Sequence, residues 1–398
     1  MASRLKRKEF VRNHCPDIRP LRQMLSRYRL KELAKYDGIL PLARGMEKNG
    51  DMTPEDKKTV VSECAARWPE AVKRTERRID ELLRNSAVYR ERAEDEALRT
   101  DMLYSYFVLG FQPLEYIEFA LEGRPVAERR TFVSDRQRYI YHARMNDLAE
   151  AAVFTDKYKT YLRFRPWFNR DAVPVSGPGD RDAFLAFVEK HPVFVKKDAF
   201  GTLGKQVSLV DTTLPGNEPE KVFREMAAGR FLCEERVIQG EETARFNRSS
   251  LNCIRFYTAL TRHGVEFPSC FFRAARAGVF VDGGHLGGVR VGVDPLTGEI
   301  LTDAVDNNGQ SYTAHPDSGV IFKGYRLPDW EGVLRLGETV AKQIPKVTLI
   351  GWDVAWSDKG WVVVEGNPTG QVGTGQSVFL TGMKAQLDAI MADMDLMV

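Results

Sequence analysis

The chain has 398 residues, enough for two or three structural units, and its content of 43% hydrophobic and 28% charged residues is ordinary for a globular protein. The net charge of +3 is too small to indicate a nucleic-acid partner, so we expect none. No apolar run approaches the roughly 20 residues that span a bilayer, and the first residues lack the apolar core of a signal peptide, which predicts a cytoplasmic protein. The five cysteines are odd in number and form no C-x-x-C pair, which argues against a zinc site or a disulfide framework.

Residues 1–150 are predicted to form a helix-rich N-terminal region that packs on the rest of the chain. The first 31 residues are rich in Lys and Arg and poor in acidic residues, as in an arm that binds an anionic membrane surface or a polyanion. A solvated helix face is the alternative interpretation of the same charges. Thr53 as N-cap and Pro54 at the first helical position predict the start of a long helix. Gly123 and Pro125 indicate where a later helix stops.

From residue 151 the pattern changes to strands mixed with helices, which predicts an α+β domain over residues 151–398. An Asp-capped helix begins near Asp156. The remaining predicted helices cover 182–190, 218–229 and 331–343. The predicted strands cover 172–175, 193–197, 207–210, 231–238, 252–261 and 267–274.

A hairpin over residues 351–371 contains most of the functional information. Its turn is predicted at residues 357–360, and pairing of the two strands brings Asp353 beside Glu365 and Asn367, which project from the same face of the second strand. Two carboxylates and an amide oxygen make an all-oxygen site suited to Mg²⁺, which the phosphates of a nucleotide would complete. The alternative is that the acids are solvated charges at strand ends and that Asn-Pro is only a turn. The combination of all three residues favours the magnesium site.

Two other stretches have the composition of a nucleotide site. Lys196 ends an apolar strand and is followed by a glycine-containing loop whose amides would face phosphate oxygens, although an ordinary hairpin explains the same pattern. The pair Glu234-Glu235 interrupts an apolar strand and needs partners if it is buried, which the amine or ribose hydroxyls of a nucleotide would supply. A charged edge strand is the alternative.

These residues, in this order, resemble the motif order of the ATP-grasp superfamily. Within it, the sequence is most similar to the sugar-transfer-associated branch. The resemblance rests on segments 251–256, 285–291, 315–319, 351–353 and 365–368, together with Asp156-Lys157, the Lys196 loop and the Glu234-Glu235 pair. It covers residues 151–390 and implies an ATP-grasp fold, with a first subdomain at about 151–240 and a second subdomain, containing the metal site, at about 241–398.

The resemblance also implies roles for individual residues. Asp353, Glu365 and Asn367 would bind Mg²⁺, and the other positions would contact ATP. The phosphates would be bound by Lys157 and Lys196. The loop that closes over them would contain Gly201, Thr202, Gly204 and Lys205. The hinge that binds adenine and ribose would contain Glu234, Glu235 and Val237.

One departure from the family pattern concerns a catalytic arginine. Several ligases have an arginine two residues before the metal-binding aspartate, where this chain has Gly351. Another arginine would then have to stabilise an acyl-phosphate, and the candidates, together with Lys196 as a catalytic cation, are Arg255, Arg273 and Arg290. His285 and His315 lie in loops beside the nucleotide half and are predicted either to contact substrate or to be structural.

The predicted function is that of an ATP- and Mg²⁺-dependent carboxylate–amine ligase that forms an acyl-phosphate. Its partners would be a small-molecule or sugar-linked acid and an amine. One alternative is a phosphotransferase that hands the γ-phosphate to a hydroxyl of a sugar or polyol. The other is a nucleotide-binding subunit without turnover.

Overall fold

The computed structural model describes residues 51–201, 207–280 and 287–394. The basic arm predicted at the N-terminus lies outside the described residues. Within those ranges the chain combines many helices with two antiparallel sheets, so the predicted α+β class with a helix-rich N-terminal part is confirmed. No helix in the same ranges is both long enough and apolar enough to cross a bilayer.

The N-terminal region consists of short helices around one apolar core. Its core includes Ile79, Leu83, Tyr104 and Phe111, all at most 1% exposed. The first helix begins as predicted, because Thr53 forms a capping box with Asp56 and Pro54 occupies the first turn. The helices are α1 (Pro54–Arg67), α2 (Pro69–Asn85), α3 (Glu96–Tyr104), α4 (Pro113–Glu118) and α5 (Val126–Arg129).

The remaining helices pack against the two sheets. Asp156 caps the helix that begins at Lys157, as predicted, by accepting hydrogen bonds from the amides of Tyr158 and Lys159. The helices are α6 (Asp135–Met145), α7 (Leu148–Ala151), α8 (Lys157–Phe168), α9 (Arg181–Lys190), α10 (Pro219–Met226), α11 (Glu241–Ala244), α12 (Trp330–Lys342), α13 (Gly373–Phe379) and α14 (Lys384–Asp393).

The smaller sheet has four antiparallel strands in the order β1-β4-β2-β3. One face packs on α9 and α10 through an apolar cluster that contains Phe184, Phe194, Phe223 and Cys233. We call the opposite face the inner face of the small sheet, since its side chains point towards the second sheet. The strands are β1 (Ala172–Val175), β2 (Val193–Asp198), β3 (Val207–Asp211) and β4 (Phe231–Glu235).

The larger sheet has seven strands in the order β11-β10-β5-β6-β7-β8-β9. Even-numbered residues of its central strands, such as Phe256, Phe272 and Trp352, pack with α8 and α12 into the largest apolar core. The odd-numbered residues of β5, β6 and β10 form the opposite face, which we call the inner face of the large sheet. Its strands are β5 (Cys253–Thr261), β6 (Gly264–Ala274), β7 (Val289–Gly292), β8 (Ala304–Val305), β9 (Ser311–Tyr312), β10 (Leu349–Ser357) and β11 (Gly360–Asn367).

Strand β4 is shorter than the predicted segment 231–238, and the reason is its change of partner. After Glu235 the chain leaves the small sheet and joins the turn end of the β10–β11 hairpin. There the Asp358 amide donates to the Ile238 carbonyl at 3.1 Å, and the Gly240 amide donates to the Trp356 carbonyl at 3.0 Å. Residues 236–240 therefore link the small sheet to the large one.

Candidate active site

The predicted hairpin is present and places its acids in one row across the inner face of the large sheet. Strands β10 and β11 join through a two-residue turn, Asp358 and Lys359, and Asp353 lies directly opposite Glu365 in the register. On the other side of β10, Asp353 lies directly opposite Arg255 of β5. Because opposed residues of antiparallel strands share a face, the side chains of Glu365, Asp353 and Arg255 are neighbours.

Asp353 is the most strongly paired acid of this row. It is 5% exposed, and its Oδ1 accepts a hydrogen bond of 2.6 Å from Arg255 Nε while Oδ2 accepts one from Arg255 Nη2. Nη2 of Arg273 lies 3.1 Å from Oδ1. Burial by itself would raise the pKa of the Asp353 carboxyl, but the two guanidinium groups more than compensate and hold its pKa below the ordinary value. Asp353 is therefore ionised at neutral pH.

Glu365 has the opposite electrostatic character. Burial, together with the negative charge of Asp353, raises the pKa of the Glu365 carboxyl above its ordinary value. Among the residues that the structure describes, none donates a hydrogen bond to this carboxylate, and the same holds for the side chain of Asn367, which follows on the same face. A half-buried acid next to a second acid needs a cation. The set of Asp353, Glu365 and Asn367 oxygens therefore fits a hard divalent cation such as Mg²⁺.

Arg290, the third arginine considered from the sequence, does not belong to this group. Its side chain is buried, with Nη2 2.7 Å from Glu118 Oε1 of α4 and Nε donating to the Ser377 hydroxyl at 3.2 Å. Its Nη1 donates to the amide oxygen of Asn307. These partners use all three guanidinium nitrogens, so Arg290 ties the N-terminal region to the large sheet, and its catalytic role stays a prediction without support from this geometry.

Lys157 approaches Glu365 from the start of α8. Its amide donates to the Ala199 carbonyl at 3.0 Å and its Nζ donates to the Gly201 carbonyl, so the helix start is attached to the end of β2. Burial lowers the pKa of the Lys157 ammonium below its ordinary value, and the negative charge of Glu365 opposes that effect. Thr202, Gly204 and Lys205, predicted for the closing loop, lie outside the described residues.

The two consecutive lysines of β2, Lys196 and Lys197, lie on opposite faces of the small sheet. The Lys196 ammonium lies 5.2 Å from the centre of the Phe231 ring, on the face of the small sheet that packs on helices. Lys197 points to the inner face, where its Nζ is 2.9 Å from Glu234 Oε2 and its positive charge acts on both Glu365 and Lys157. Alternation along β2 separates the two side chains, so the assignment of Lys196 to the phosphates stays a prediction and the geometry adds Lys197 as a second candidate.

Glu234 also has protein partners that the sequence does not reveal. It is 3% exposed, and its Oε2 accepts hydrogen bonds from Arg170 Nε at 2.8 Å and from Lys197 Nζ at 2.9 Å. Burial would raise the pKa of Glu234, but these two cations lower it to about 2. Arg170 also donates to the Val363 carbonyl of β11 at 2.6 Å, so it joins the two sheets. Arg170 lies in no recognisable motif, and no sequence signal identifies it.

Beyond Glu234 the hinge has one polar and one apolar contact. Glu235 points away from Glu234 and pairs with Lys359 of the hairpin turn, with Nζ and Oε1 2.7 Å apart. Val237 packs on Cys253, Ala355 and Val362, which form an apolar patch at the turn end of the inner face. The inner face of the large sheet is thus apolar beside the hinge and charged in the next row of the same three strands, at Arg255, Asp353 and Glu365.

Gly351 is explained by its neighbours on the inner face. A Cβ at this position would lie 2.9 Å from two ring atoms of Tyr257 and 3.2 Å from Arg255 Cδ. Tyr257 lies directly opposite Gly351 in the register and fills the space that a longer side chain would need. A long side chain two residues before Asp353 therefore has no space here, and Arg255 of the neighbouring strand lies beside that position.

His315 is buried and bonds to backbone groups of its own loop and of the end of β6. It is 1% exposed, its Nε2 lies 3.0 Å from the Ala275 carbonyl, and its Nδ1 accepts hydrogen bonds from the amides of Asp317 and Ser318 at 3.3 Å. Both ring nitrogens are used, and burial lowers the pKa of the imidazole. The substrate contact of His315 stays a prediction, and these contacts favour the structural alternative. His285 lies outside the described residues.

Comparisons with known proteins found one family match and several distant structural similarities. A search against curated proteins found no match. Among solved structures, the ATP-grasp ligase PsnB complexed with a minimal precursor aligns at 12% identity and a TM-score of 0.39, covering 63% of this chain and 64% of that chain. D-alanyl-alanine synthetase A from Vibrio cholerae aligns at 10% identity and a TM-score of 0.39, covering 63% and 68%. D-alanine–D-alanine ligase from Bacillus anthracis aligns at 13% and 0.37, covering 63% and 71%.

At these values the structural alignments carry no information about substrate, and this chain spans slightly less than two thirds of PsnB. The family comparison is more extensive. The model of the family described as sugar-transfer associated ATP-grasp matches residues 136–392, which is well over half of the 398 residues. The chain is therefore a member of the sugar-transfer associated ATP-grasp family.

Proposed function

We propose that the protein is an ATP- and Mg²⁺-dependent carboxylate–amine ligase that forms ADP and phosphate. The observation that carries the proposal is the row of Glu365, Asp353 and Arg255 across three strands, with Lys157 and Lys197 acting on it from the opposite side. Acyl-phosphate chemistry requires a cation, groups that bind phosphates and groups that bind a second anion. Here the two acids would hold the cation, the two lysines would bind the phosphates, and the adjacent arginines would bind the second anion.

The charge distribution supports one orientation of the nucleotide. The base would bind beside the backbone of the hinge, at the edge of the apolar patch that Val237 forms with Cys253, Ala355 and Val362. The phosphates would then extend towards Lys157 and Lys197, and Asp353, Glu365 and Asn367 would hold Mg²⁺. A bound magnesium ion neutralises the charge on the β- and γ-phosphates. In this arrangement Lys197 exchanges its contact with Glu234 for a phosphate oxygen, while Arg170 continues to neutralise Glu234.

The arginines define where the second substrate would react. A guanidinium group matches the planar geometry of a carboxylate or a phosphate and remains charged at any physiological pH. Arg255 and Arg273 lie on the side of Asp353 away from the hairpin partner Glu365. They would hold the acid while its carboxylate oxygen attacks the γ-phosphorus and the bond to ADP breaks. The amine nitrogen then attacks the acyl carbon, phosphate leaves, and a proton is lost to solvent.

The test is a screen of acid and amine pairs with ATP and Mg²⁺, measuring ADP and phosphate and identifying the product by mass spectrometry. We expect an amide whose formation requires both substrates. A phosphorylated acceptor without free phosphate would instead indicate a phosphotransferase, and acid-dependent ADP formation without an amide would contradict the ligase.

Two variants show whether the proposed site carries the reaction. Glu365→Gln should lower the rate at least about 100-fold, since it removes a negatively charged ligand of the magnesium ion that neutralises the reacting phosphates. Glu266→Gln removes an exposed acid from β6 and is the matched control, with wild-type activity expected. Full activity of Glu365→Gln would exclude this site.

A further inference from the structure

Helix α6 and the residue after it present a line of polar side chains to the loop that follows the proposed metal ligands. Arg138, His142 and Asn146 are spaced four residues apart, so they share one side of the helix. All three are buried, and all three contact the backbone of residues 368–370, which come directly after Asn367. We call these three side chains the α6 clamp.

Asn146 connects both strands of the hairpin. Its Nδ2 donates to the Pro368 carbonyl at 2.7 Å and to the Leu349 carbonyl at 2.9 Å, and its Oδ1 accepts from the Leu349 amide at 2.8 Å. Leu349 is the first residue of β10, and Pro368 is the first residue after β11. One side chain therefore fixes the open end of the hairpin that carries Asp353, Glu365 and Asn367.

Arg138 and His142 hold the next residues of the loop. Arg138 Nη1 donates to the Thr369 carbonyl and, at 3.3 Å, to the Gly370 carbonyl, while His142 Nε2 lies 2.9 Å from the same Gly370 carbonyl. Burial and the charge of Arg138 lower the pKa of His142 to about 3, so the ring is neutral and its Nε2 hydrogen serves the carbonyl.

The opposite side of the loop is closely packed. A Cβ on Gly370 would lie 2.6 Å from the Tyr257 hydroxyl, so the loop cannot shift towards the sheet without displacing that ring. The loop is therefore held between the inner face of the large sheet and the α6 clamp. Irregular backbone in the interior needs such donors for its carbonyls, since an unpaired buried carbonyl is costly.

We infer that Arg138, His142 and Asn146 are positioning residues that hold Asn367 and the open end of the hairpin in the arrangement that binds the metal and nucleotide. The inference rests on the proposed function and assigns a role to a helix that precedes the predicted ATP-grasp domain. Side chains that orient metal ligands through a second contact change metal affinity about 10- to 100-fold when they are removed. If the α6 clamp supported only the fold, removing its side chains would change the stability of the protein and leave its metal affinity unchanged.

The experiment measures Mn²⁺ binding to the full-length protein in the presence of ADP, by electron paramagnetic resonance, at a temperature well below every variant's unfolding midpoint. Asn146→Ala and His142→Ala should bind Mn²⁺ about 10- to 100-fold more weakly than the wild type. His142→Gln keeps an amide donor near the position of Nε2 and should recover most of the affinity. If Asn146→Ala does not fold, the two His142 variants decide the question.

Asn247→Ala is the matched control, because Asn247 is also a buried asparagine that donates to a loop carbonyl, that of Arg276 at 3.3 Å. It should lose stability and keep Mn²⁺ affinity within about twofold of the wild type, well short of the change expected for the α6 clamp. Wild-type Mn²⁺ affinity in His142→Ala, or no recovery of affinity in His142→Gln, would overturn the positioning role of the α6 clamp and leave the proposed function standing. Absence of Mn²⁺ binding in the wild type, or binding unchanged by Asp353→Asn, would overturn the proposed function as well.

Discussion

Single substitutions of two consecutive lysines of β2 test which of them binds the nucleotide: the one at the motif position or the one that points to the inner face. Lys196 occupies the motif position for the phosphate-binding lysine, but its ammonium lies over the Phe231 ring on the helix-packed face. Lys197 reaches the inner face and lies 2.9 Å from Glu234. We compare Lys197→Met with Lys196→Met, since both changes keep an apolar stem and remove one positive charge.

The expected losses of ATP affinity differ clearly between the two variants. A hydrogen bond to a charged group contributes about 1.5–3 kcal/mol, and about 1.4 kcal/mol corresponds to a factor of ten in affinity. Lys197→Met should therefore weaken ATP binding about 10- to 100-fold. Lys196→Met loses only a cation–π contact, which contributes about 0.5–1 kcal/mol to stability at an accessible position, so its ATP affinity should stay within about twofold.

The assay is isothermal titration calorimetry with Mg²⁺ and a non-hydrolysable ATP analogue, and thermal unfolding of each variant is the control for folding. A larger loss of ATP affinity in Lys196→Met than in Lys197→Met would refute the reasoning. The lysine at the motif position would then bind phosphate although it lies on the helix-packed face of the small sheet. Equal, small losses in both variants would show that neither lysine contacts the nucleotide.

Three further predictions concern buried residues. Glu234→Gln should lower the free energy of unfolding at pH 7 by about 3–5 kcal/mol, since it leaves buried cations without their acid. The pKa of Glu234 is lowered from 4.5 to about 2, so the stability it contributes is complete above about pH 4.5 and the difference from wild type should shrink as the pH falls towards 2. Gly351→Ala should destabilise by about 1–3 kcal/mol, because its Cβ meets the Tyr257 ring. His315→Ala should lower stability by about 1–3 kcal/mol and leave the KM for ATP and for the acid unchanged, because its ring bonds only to backbone groups.

Urea unfolding at several pH values checks the prediction for Glu234→Gln, and Glu235→Gln is the control variant. Glu235 pairs with a partly exposed lysine, and its loss should cost no more than about 1 kcal/mol. A difference between Glu234→Gln and wild type that is the same at pH 3 and pH 7 would contradict the assignment of that pKa. A stable Gly351→Ala variant would show that Tyr257 can move, and a raised KM in His315→Ala would return this histidine to the substrate site.

The local parts of the candidate site were predictable because short stretches of sequence specify them. The turn after Ser357 and the apolar second strand predict the hairpin from local sequence alone. Counting back from the turn would pair Asp353 with Val364, and a β-bulge beside Asp353 in the structure brings Glu365 opposite it instead. The caps at Thr53 and Asp156 likewise depend on residues within one turn of the helix start. The resemblance to the ATP-grasp superfamily rests on the order of the motifs along the chain. The family match over residues 136–392 confirms that resemblance.

The partners of those residues come from distant parts of the chain, and only the tertiary structure decided them. Alternation along β2 requires Lys196 and Lys197 to face opposite ways, but only the packing of the small sheet on α9 and α10 determines which one faces the nucleotide site. Arg170 reaches Glu234 across 64 residues, and Asn146 reaches Pro368 across 222. Sequence specifies what a residue does within its own strand or turn. Burial and pairing across the fold decide whether its charge is available for a ligand or already neutralised by another side chain.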